Sequence, residues 1–486
     1  MAKKADGTRT TESYDLIVVS NRLPVDRVVA ADGSESWGIS PGGLVSALEP
    51  VMRRAGGAWI GWAGVPGAEV EPFEHGGVQL IPLPLSEQDV ELYYEGFSND
   101  TIWPLYHDVI APPAYHREWW EAYQSVNARF AQRAIEAAAP GGTVWVQDYQ
   151  LQLVPRMIRD ARPDLLIGYF HHIPFPGYGL WSQLPWRGQI MDGLLGADVI
   201  GFQRSGDVSN FRRSIRRLRG YDTRGRWLRV PEGEGGARRP VLVDRFPISI
   251  DADEAERLAR EPSVRARARE IREQLGDPRT VMLGVDRLDY TKGIPHRLKA
   301  FRELLEDGRL SGEDVALIQI ASPSRERVAT YRQLRDEVEL VVGRINGEHS
   351  TFGRPVVEYL YQNEPREEMA ALYLAADVLL VTALRDGMNL VAKEYVASRF
   401  DNTGALVLSE FTGAADELRQ AVLVNPHDID GLKDAIVRAV EMPRREQERR
   451  MRRMRRLVAE HDVATWAQSF FDALEEARTL RGSTGS

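Results

Sequence analysis

The chain of 486 residues contains no cysteine, which excludes disulfide bonds, thiolate metal sites and cysteine nucleophiles. It also lacks a run of about 20 apolar residues that could cross a bilayer, and its first residues lack the apolar centre of a secretory signal. We therefore expect a cytoplasmic protein that does not bind a membrane. Its chemistry must come from histidine, carboxylate, cationic, hydroxyl or backbone groups.

Lysine is scarce, since only six of the 62 basic side chains are lysines, and 71 acidic side chains leave a formal net charge of -9. This charge argues against general affinity for nucleic acids, and we expect no nucleic-acid partner. Two phosphate-binding motifs are missing as well. The absence of GxxxxGK[ST] disfavours a P-loop kinase or ATPase, and the absence of GxGxxG after the first strand disfavours a dinucleotide dehydrogenase.

The sequence is too long for one hydrophobic core, and 43% of its residues are hydrophobic, so we expect at least two globular domains. Short runs of valine, isoleucine and leucine alternate with amphipathic segments such as 117–139. This pattern is typical of β-α units around parallel sheets and predicts the α/β class. The candidate strands are 16–20, 58–62, 78–83, 143–147, 166–170 and 199–202 in the first half, and 280–285, 315–321, 356–359, 378–382, 405–408 and 421–424 in the second.

These two series predict two Rossmann-like, doubly wound domains, residues 1–248 and 249–458, facing each other across a cleft. The Gly/Arg-rich segment 218–241 has no sustained period and is predicted to be a surface excursion. Apolar residues at helical spacing over 463–480 predict a helix within the last segment, 459–486, that docks back on the first domain. Eight arginines within 444–457 are interpreted as a solvated helix face rather than a nucleic-acid site.

In the first half, candidate ligand-binding residues follow the strands, because ligands of such sheets bind at the carboxyl ends of strands. Arg22 follows the first strand, and Gly43 stands where a helix begins, so its backbone can approach an anion. A tight turn and a surface arginine would explain both residues equally well. Trp62, Tyr94 and Trp103 could stack on the C–H face of a sugar, although each ring taken alone is better explained as core.

Polar residues also follow two later strands of the first half. Asp148 comes directly after one strand, and His171 and His172 come after the next. We expect these groups to converge on one crevice, which favours a binding or catalytic site over a structural role. A metal site is disfavoured, because the remaining histidines are scattered and no HxH or HExxH spacing is present.

In the second half, the segment TVMLGVDRLDYTKG places Arg287 and Lys292 at and beyond the end of a strand. Two cations on one such loop can clamp a diphosphate, arginine by its planar fork and lysine as a mobile point charge. A surface salt-bridge pair is the alternative.

The segment LLVTALRDGMNLVAKEYV predicts a buried strand that breaks near Asp386 and Gly387 and a helix that begins near Met388 or Asn389. The amides of Met388, Asn389 and Leu390 would then point outward and could bind a phosphate. Asp386 could hold sugar hydroxyls, and Glu394, one turn into the helix, could accept from the hydroxyls of a ribose. An aspartate cap on an ordinary amphipathic helix remains a competing interpretation.

Several segments, in this order and across both halves, closely resemble the trehalose-6-phosphate synthases, the retaining glycosyltransferases of family 20 with GT-B architecture. The resemblance extends from about residue 16 to about residue 472 and rests on SNRLPV, SPGGL, LSEQDVELYYEGFSNDTIWPLYH, QDYQL, HHIPFP, DRLDYTKGIPHRL, SPSRERV, GRINGEH and LRDGMNLVAKEYV. One such motif would be weak, but the ordered set is specific.

The resemblance implies transfer of glucose from ADP-, UDP- or GDP-glucose to glucose 6-phosphate, with no cofactor, no metal and a homo-oligomeric (tetrameric or dimeric) enzyme. The implied catalytic residues are Asp148, His172, Arg287, Lys292 and Asp386. The implied donor site comprises Gly43, His172, Arg287, Lys292, Asp386, Gly387, Met388, Asn389, Leu390 and Glu394. The implied acceptor site, on a first domain that would bind the acceptor, comprises Arg22, Trp62, Tyr94, Trp103, Asp148 and Arg325.

Two alternatives to this function remain open. The chain could be a related glucosyltransferase with another phosphorylated acceptor, such as glycerol 3-phosphate, although Trp103 favours a sugar ring. It could also be a nucleotide-sugar-binding regulator without turnover.

Overall fold

Two sheets with buried, mostly parallel strands organise the chain. The computed structural model describes residues 13–29, 35–39, 48, 52–53, 56–232 and 237–484. The first sheet has nine strands in the order β10-β11-β9-β8-β7-β1-β4-β6-β5, with antiparallel pairs only at its two edges. Its strands are β1 (Tyr14–Arg22), β4 (Ala58–Trp62), β5 (Phe73–His75), β6 (Val78–Pro82), β7 (Ala138–Gln147), β8 (Leu166–His171), β9 (Val199–Phe202), β10 (Trp227–Glu232) and β11 (Ala237–Arg245).

The second sheet has six strands, all parallel, in the order β14-β13-β12-β15-β16-β17. Its strands are β12 (Thr280–Arg287), β13 (Val315–Ser322), β14 (Val357–Leu360), β15 (Val378–Val381), β16 (Ala405–Ser409) and β17 (Val422–Val424). Valine, leucine and isoleucine fill these strands on both faces because helices cover both sides of a parallel sheet. Every strand predicted from the apolar runs is present, with its ends shifted by at most five residues, the largest shift being at the start of β7.

Helices connect the strands and cover both sheets. In the first half they are α1 (Glu87–Asp89), a π-helix (Val90–Ile102), α2 (Trp103–Tyr106), α3 (Arg117–Ala137), α4 (Val154–Ala161), α5 (Tyr178–Trp181), α6 (Arg187–Leu194) and α7 (Ser205–Arg219). In the second half they are α8 (Ala252–Arg260), α9 (Pro262–Gln274), α10 (Ile294–Glu306), α11 (Ala329–His349), α12 (Arg366–Ala375), α13 (Leu390–Ser398), α14 (Ala414–Glu417), α15 (Ile429–Val440), α16 (Arg444–Glu460) and α17 (Val463–Thr484). Short 3-10 turns lie at Tyr149–Leu151 and Tyr290–Lys292.

The segment 218–241, predicted to be a surface excursion, instead contains β10 and the start of β11, which pair antiparallel at the edge of the first sheet. Leu228 and Val230 alternate with more exposed residues and bury one side of β10. The prediction was wrong because arginines, glycines and prolines interrupt the apolar pattern that marks a strand. An edge strand tolerates such residues. A further antiparallel hairpin, β2 (Val25–Val29) and β3 (Glu35–Ile39), follows β1.

The last helix, α17, packs on the first sheet. The ring of Phe470 stacks on Trp145 with centroids 4.6 Å apart, and the indole of Trp466 donates to the carbonyl of Phe246 (3.2 Å). The predicted helix over 463–480 is therefore present and contacts the first sheet. The arginine-rich helix α16 buries Met451, Met454 and Val458 and pairs five of its eight arginines with glutamates, as expected for a solvated helix face.

The part of the chain that carries the first sheet, here called the first lobe, and the part that carries the second sheet, the second lobe, pack directly against each other. Arg204 of the first lobe forms a bidentate ion pair with Asp416 of the second, at 2.8 and 2.9 Å. The backbone of Gly387 lies so close to His172 that a β-carbon on Gly387 would come within 2.1 Å of the His172 carbonyl oxygen. The carboxyl ends of strands in both sheets therefore meet at one place.

Candidate functional site

The turn between β15 and α13 presents free backbone amides. Asn389 caps α13 by accepting from the amide of Ala392 (3.1 Å) and adopts a left-handed conformation, φ 83°. The amides of Met388, Asn389 and Leu390 donate no hydrogen bond to any residue that the structure describes. The helix begins at Leu390, within two residues of the prediction. Unpaired N–H groups at a helix start are a suitable site for an anionic oxygen.

Lys292 and Asp386 meet beside these amides. The Nζ atom of Lys292 donates to Oδ2 of Asp386 (2.7 Å), which also accepts from the side-chain amide of Asn389 (3.2 Å). Burial works to raise the pKa of Asp386, but Lys292, together with Asn389 and His107, outweighs it and holds the pKa below its ordinary value. An ionised Asp386 can accept hydrogen bonds from sugar hydroxyls, and Lys292 can neutralise a phosphate.

Glu394 lies one turn into α13, as predicted. The hydroxyl of Tyr373 donates to its Oε2 atom (2.8 Å), and burial raises the pKa of the carboxyl group above its ordinary value. The Tyr373 hydroxyl thus orients this carboxylate, which has further acceptor capacity for hydroxyl groups of a ligand.

Asp148 and His172 are in direct contact, although 24 residues separate them. The backbone amide of His172 donates to Oδ1 of Asp148 (3.2 Å), and the Nε2 atom of His172 lies 2.9 Å from Oε1 of Gln147. Asp148 adopts a positive φ of 70° at the end of β7. The two polar groups predicted to converge at neighbouring strand ends therefore lie together, whereas His171 belongs to β8 and is fully buried in the core.

Arg325 and Arg287 of the second lobe both lie over Trp103 of the first. The guanidinium carbon of Arg325 is 3.9 Å from the ring centroid, and that of Arg287 is 5.3 Å away. Arg325 also donates to the hydroxyl of Tyr149 (3.2 Å). A cation stacked on an aromatic face is held in place, and a guanidinium group binds phosphate through its N–H groups.

A second cation set lies at the carboxyl ends of β1 and β4. The guanidinium of Arg22 stacks on Trp62 at 5.0 Å and pairs with Asp26 at 2.5 Å, and the ring of Tyr94 lies 6.3 Å from that of Trp62. Arg22 is partly exposed and can contact a ligand.

The predicted residues fall into a turn of the second lobe, the pair Asp148 and His172, and two aromatic-cation groups. Gly43 lies outside the described residues. Prediction from the sequence missed Asp289, Tyr331, Tyr149 and His107, which contact Arg325 or Trp103. It also missed Arg385, which precedes Asp386 in the chain. Arg385 pairs with Asp108 (3.1 Å) across the lobes, and no local motif marks such a contact.

Among the described residues, the one cluster with spacing suited to a metal ion is Glu306, Glu348 and His349 on α10 and α11. None of these residues belongs to the site described above. Every helix among the described residues is too short or too polar to span a bilayer.

A site that joins two anionic sugars and keeps water out needs cations on facing lobes and carboxylates spaced for hydroxyl groups. The two doubly wound lobes and their facing strand ends have this construction, which defines a glycosyltransferase of GT-B architecture. The sequence profile of glycosyltransferase family 20 matches residues 14–476, and the chain belongs to that family.

Close relatives support the same assignment. The trehalose-6-phosphate synthase of Mycobacterium sp. (strain KMS) is 56% identical over 481 residues, which cover 98% of each chain. The structure of an alpha,alpha-trehalose-phosphate synthase (UDP-forming) from Burkholderia xenovorans in complex with glucose-6-phosphate superposes with a TM-score of 0.86 at 34% identity, covering 95% of this chain and 99% of the other. An E. coli structure bound with UDP-2-fluoro glucose superposes with a TM-score of 0.85 at 33% identity, covering 94% and 98%. The resemblance noted in the sequence is confirmed.

Proposed function

We propose that this glycosyltransferase transfers glucose from a nucleotide-diphosphate-glucose to the anomeric hydroxyl of glucose 6-phosphate with retention, forming α,α-1,1-linked trehalose 6-phosphate. The observation that carries the proposal is the presence of separate cation sets for two anionic substrates, one around Lys292 and one at Arg22 and Arg325. The names of the similar proteins favour the same substrates.

The donor is assigned to the turn between β15 and α13. Its diphosphate would contact Arg287, Lys292 and the free amides of Met388, Asn389 and Leu390. Glu394 would accept from the ribose hydroxyls, and Asp386 and His172 would hold the transferred glucose. Gly43 and Gly387 would complete this site through their backbones.

The acceptor is assigned to the groups around Trp62 and Trp103, except for Arg287, which shares the Trp103 ring with Arg325 but is assigned to the donor. Arg22, Tyr94 and Arg325 would bind the phosphate of glucose 6-phosphate, and Trp62, Trp103 and Asp148 would contact its sugar ring. Because Arg325 belongs to the second lobe but stacks on Trp103 of the first, this assignment makes the acceptor site depend on both lobes.

Retention by double displacement would need a carboxylate nucleophile and a second carboxyl group about 5 to 5.5 Å away. The carboxylates nearest the site already have partners, namely Lys292 for Asp386 and the His172 amide for Asp148. We therefore favour a front-face reaction, in which the leaving diphosphate accepts the proton of the incoming hydroxyl and the cations and amides stabilise the developing charge.

Steady-state kinetics with ADP-, UDP- and GDP-glucose side by side, with glucose 6-phosphate as acceptor, test this function and identify the preferred base. We expect release of the nucleoside diphosphate together with a phosphatase-sensitive disaccharide. Product from glycerol 3-phosphate instead would favour a different acceptor. Donor binding without release of diphosphate for any donor would indicate a regulator without turnover.

Arg325→Ala tests the assignment of sides. It removes a charge-assisted phosphate contact worth about 1.5–3 kcal/mol, so we expect a higher KM for glucose 6-phosphate and little change for the donor. A loss of donor affinity alone would contradict the assignment.

Three further proposals concern the whole chain. They are its division into residues 1–248, 249–458 and 459–486, its cytoplasmic location and a homo-oligomeric assembly.

A further inference from the structure

Asp289 is a fully buried carboxylate between the two groups of cations. Its Oδ1 atom accepts from the backbone amide and the hydroxyl of Thr291, both at 2.9 Å. Its Oδ2 atom accepts from the Tyr331 hydroxyl (3.1 Å) and from Nη1 of Arg325 (3.2 Å). Each oxygen therefore serves a different part of the site.

The Oδ1 atom fixes the turn that carries Lys292. Asp289 is the cap of the 3-10 turn Tyr290–Lys292, and its bonds to Thr291 hold the backbone immediately before Lys292. From this turn the Nζ atom of Lys292 reaches Asp386 (2.7 Å). The position of the donor-side cation thus depends on the Asp289 carboxylate.

The Oδ2 atom fixes the guanidinium of Arg325. Arg325 lies between β13 and α11 with a left-handed φ of 47°, an uncommon conformation for a residue other than glycine. The ion pair with Asp289 and the stacking on Trp103 hold its side chain in place. Burial works to raise the pKa of Asp289, but Arg325, Arg287 and Lys292 outweigh it and hold the pKa at about 2, so the carboxylate stays ionised.

We propose that Asp289 is a positioning residue that sets the spacing between the donor-side cation Lys292 and the acceptor-side cation Arg325. This inference rests on the proposed function of those two cations. Asp289 acts only through them, because both of its oxygens are occupied by protein groups. One carboxylate therefore aligns the two substrates relative to each other.

The two oxygens can be separated by substitution. In Asp289→Asn, the amide oxygen can still accept from Thr291, but the charge that holds Arg325 is lost. We expect the KM for glucose 6-phosphate to rise roughly ten- to a hundredfold, with the donor KM changed by less than about threefold. In Asp289→Leu, both contacts are lost, and both KM values should rise. An unchanged KM for glucose 6-phosphate in Asp289→Asn would overturn the proposal.

A matched control is Asp198→Asn. Asp198 is also fully buried and pairs with arginines, namely Arg159 (2.5 Å), Arg239 (3.2 Å) and Arg481 (3.2 Å), but it lies in the first lobe away from the described site. This variant should lose stability without a selective change in the KM for glucose 6-phosphate. The same selective change in both variants would identify a general effect of destabilisation and overturn the proposal.

A double-mutant cycle with Arg325→Ala tests whether Asp289 acts through Arg325. Adding Asp289→Asn to Arg325→Ala should raise the KM for glucose 6-phosphate by no more than about twofold. A double variant whose KM rises by the product of the two single increases would contradict the proposal.

A crystal structure of Asp289→Asn provides a readout that does not depend on turnover. We expect the Arg325 guanidinium to leave its position over the Trp103 ring. An unmoved guanidinium would overturn the positioning role, whether or not the proposed function holds.

Discussion

Burial moves the pKa values of the two polar residues after β7 and β8 in opposite directions. It raises the pKa of Asp148 to about 7, against the partial compensation of nearby amides and arginines, and it lowers the pKa of His172 to about 3. His172 is therefore neutral near pH 7 and can donate or accept one hydrogen bond at each ring nitrogen. Asp148 changes its charge near neutral pH.

The raised pKa of Asp148 predicts a pH-dependent contribution to stability. The folded protein binds this proton more tightly than the unfolded chain, whose aspartate has a pKa near 3.8, so the contribution is fully present below about pH 4 and is lost as pH rises toward about 7. We expect the unfolding free energy of the wild type to fall over that interval relative to that of Asp148→Asn, whose side chain does not titrate. Urea titrations of both proteins at several pH values measure it. A wild type that gains stability relative to Asp148→Asn as pH rises would show that the folded-state pKa is lowered.

Glu394→Gln should weaken donor binding while the fold remains intact. The substitution replaces a charged acceptor, which Tyr373 orients, by a neutral amide, and the loss should be about 1.5–3 kcal/mol. Calorimetric titration with a nucleoside diphosphate measures this loss. Glu348→Gln, at an exposed glutamate of α11, is the control and should leave the affinity unchanged. Equal affinities for the wild type and Glu394→Gln would contradict the ribose role.

Residues that follow a strand could be placed from the sequence, because the end of an apolar run marks the edge of the sheet. Arg22, Asp148 and Lys292 were placed in this way. Asp289 and Arg385 could not be assigned, since their partners are distant in sequence. Asp289 meets Arg325 only when the second lobe folds, and Arg385 meets Asp108 only when the lobes pack. The roles of the placed residues remain predictions.

At the level of elements, the N-terminus of α13 combines a structural cap with the proposed phosphate site. Asn389→Ala removes the bond to the Ala392 amide and forces alanine into a left-handed conformation, so we expect a loss of stability of about 1–2 kcal/mol and weaker donor binding. Asp428→Ala removes the equivalent cap of α15, in which Asp428 accepts from the Gly431 amide (2.9 Å). This control should lose stability without losing donor affinity. Similar donor affinities in both variants would contradict the role of the α13 terminus.

The packing of α17 on the first sheet gives a second prediction for an element. Phe470 is fully buried against Trp145, Phe170 and Phe246, so Phe470→Ala should lower the unfolding free energy by about 3–5 kcal/mol. Phe352→Ala, at a fully exposed phenylalanine, should leave it unchanged. Chemical denaturation of both variants measures the difference, and equal stabilities would exclude a stabilising role for this contact.

Elements with continuous apolar runs were predictable, and those with mixed patterns were not. The strands of the second sheet are buried on both faces, so each reads as a run of valine, leucine and isoleucine. The edge strand β10 alternates buried and more exposed residues, and the hairpin of β2 and β3 contains polar residues and glycine. The π-helix Val90–Ile102 has no distinctive period, and it contributes Tyr94 to the site.

At the scale of the whole molecule, function depends on how closely the lobes approach. Gly387→Ala would place a β-carbon 2.1 Å from the His172 carbonyl oxygen and force the lobes apart. We expect kcat/KM to fall at least about tenfold, because a wider cleft misaligns the substrates and admits water. Gly343→Ala, where a β-carbon would meet open space in α11, is the control. X-ray scattering together with kinetics measures both effects, and unchanged activity of Gly387→Ala would contradict this dependence on close contact.

The structure of a ternary complex with glucose 6-phosphate and an unreactive nucleotide-diphosphate-glucose analogue is the most direct test of the central claim. The account predicts the diphosphate against Lys292 and the amides of Met388 to Leu390, and the phosphate of glucose 6-phosphate between Arg22 and Arg325. A sugar nucleotide bound away from the turn between β15 and α13 would contradict it.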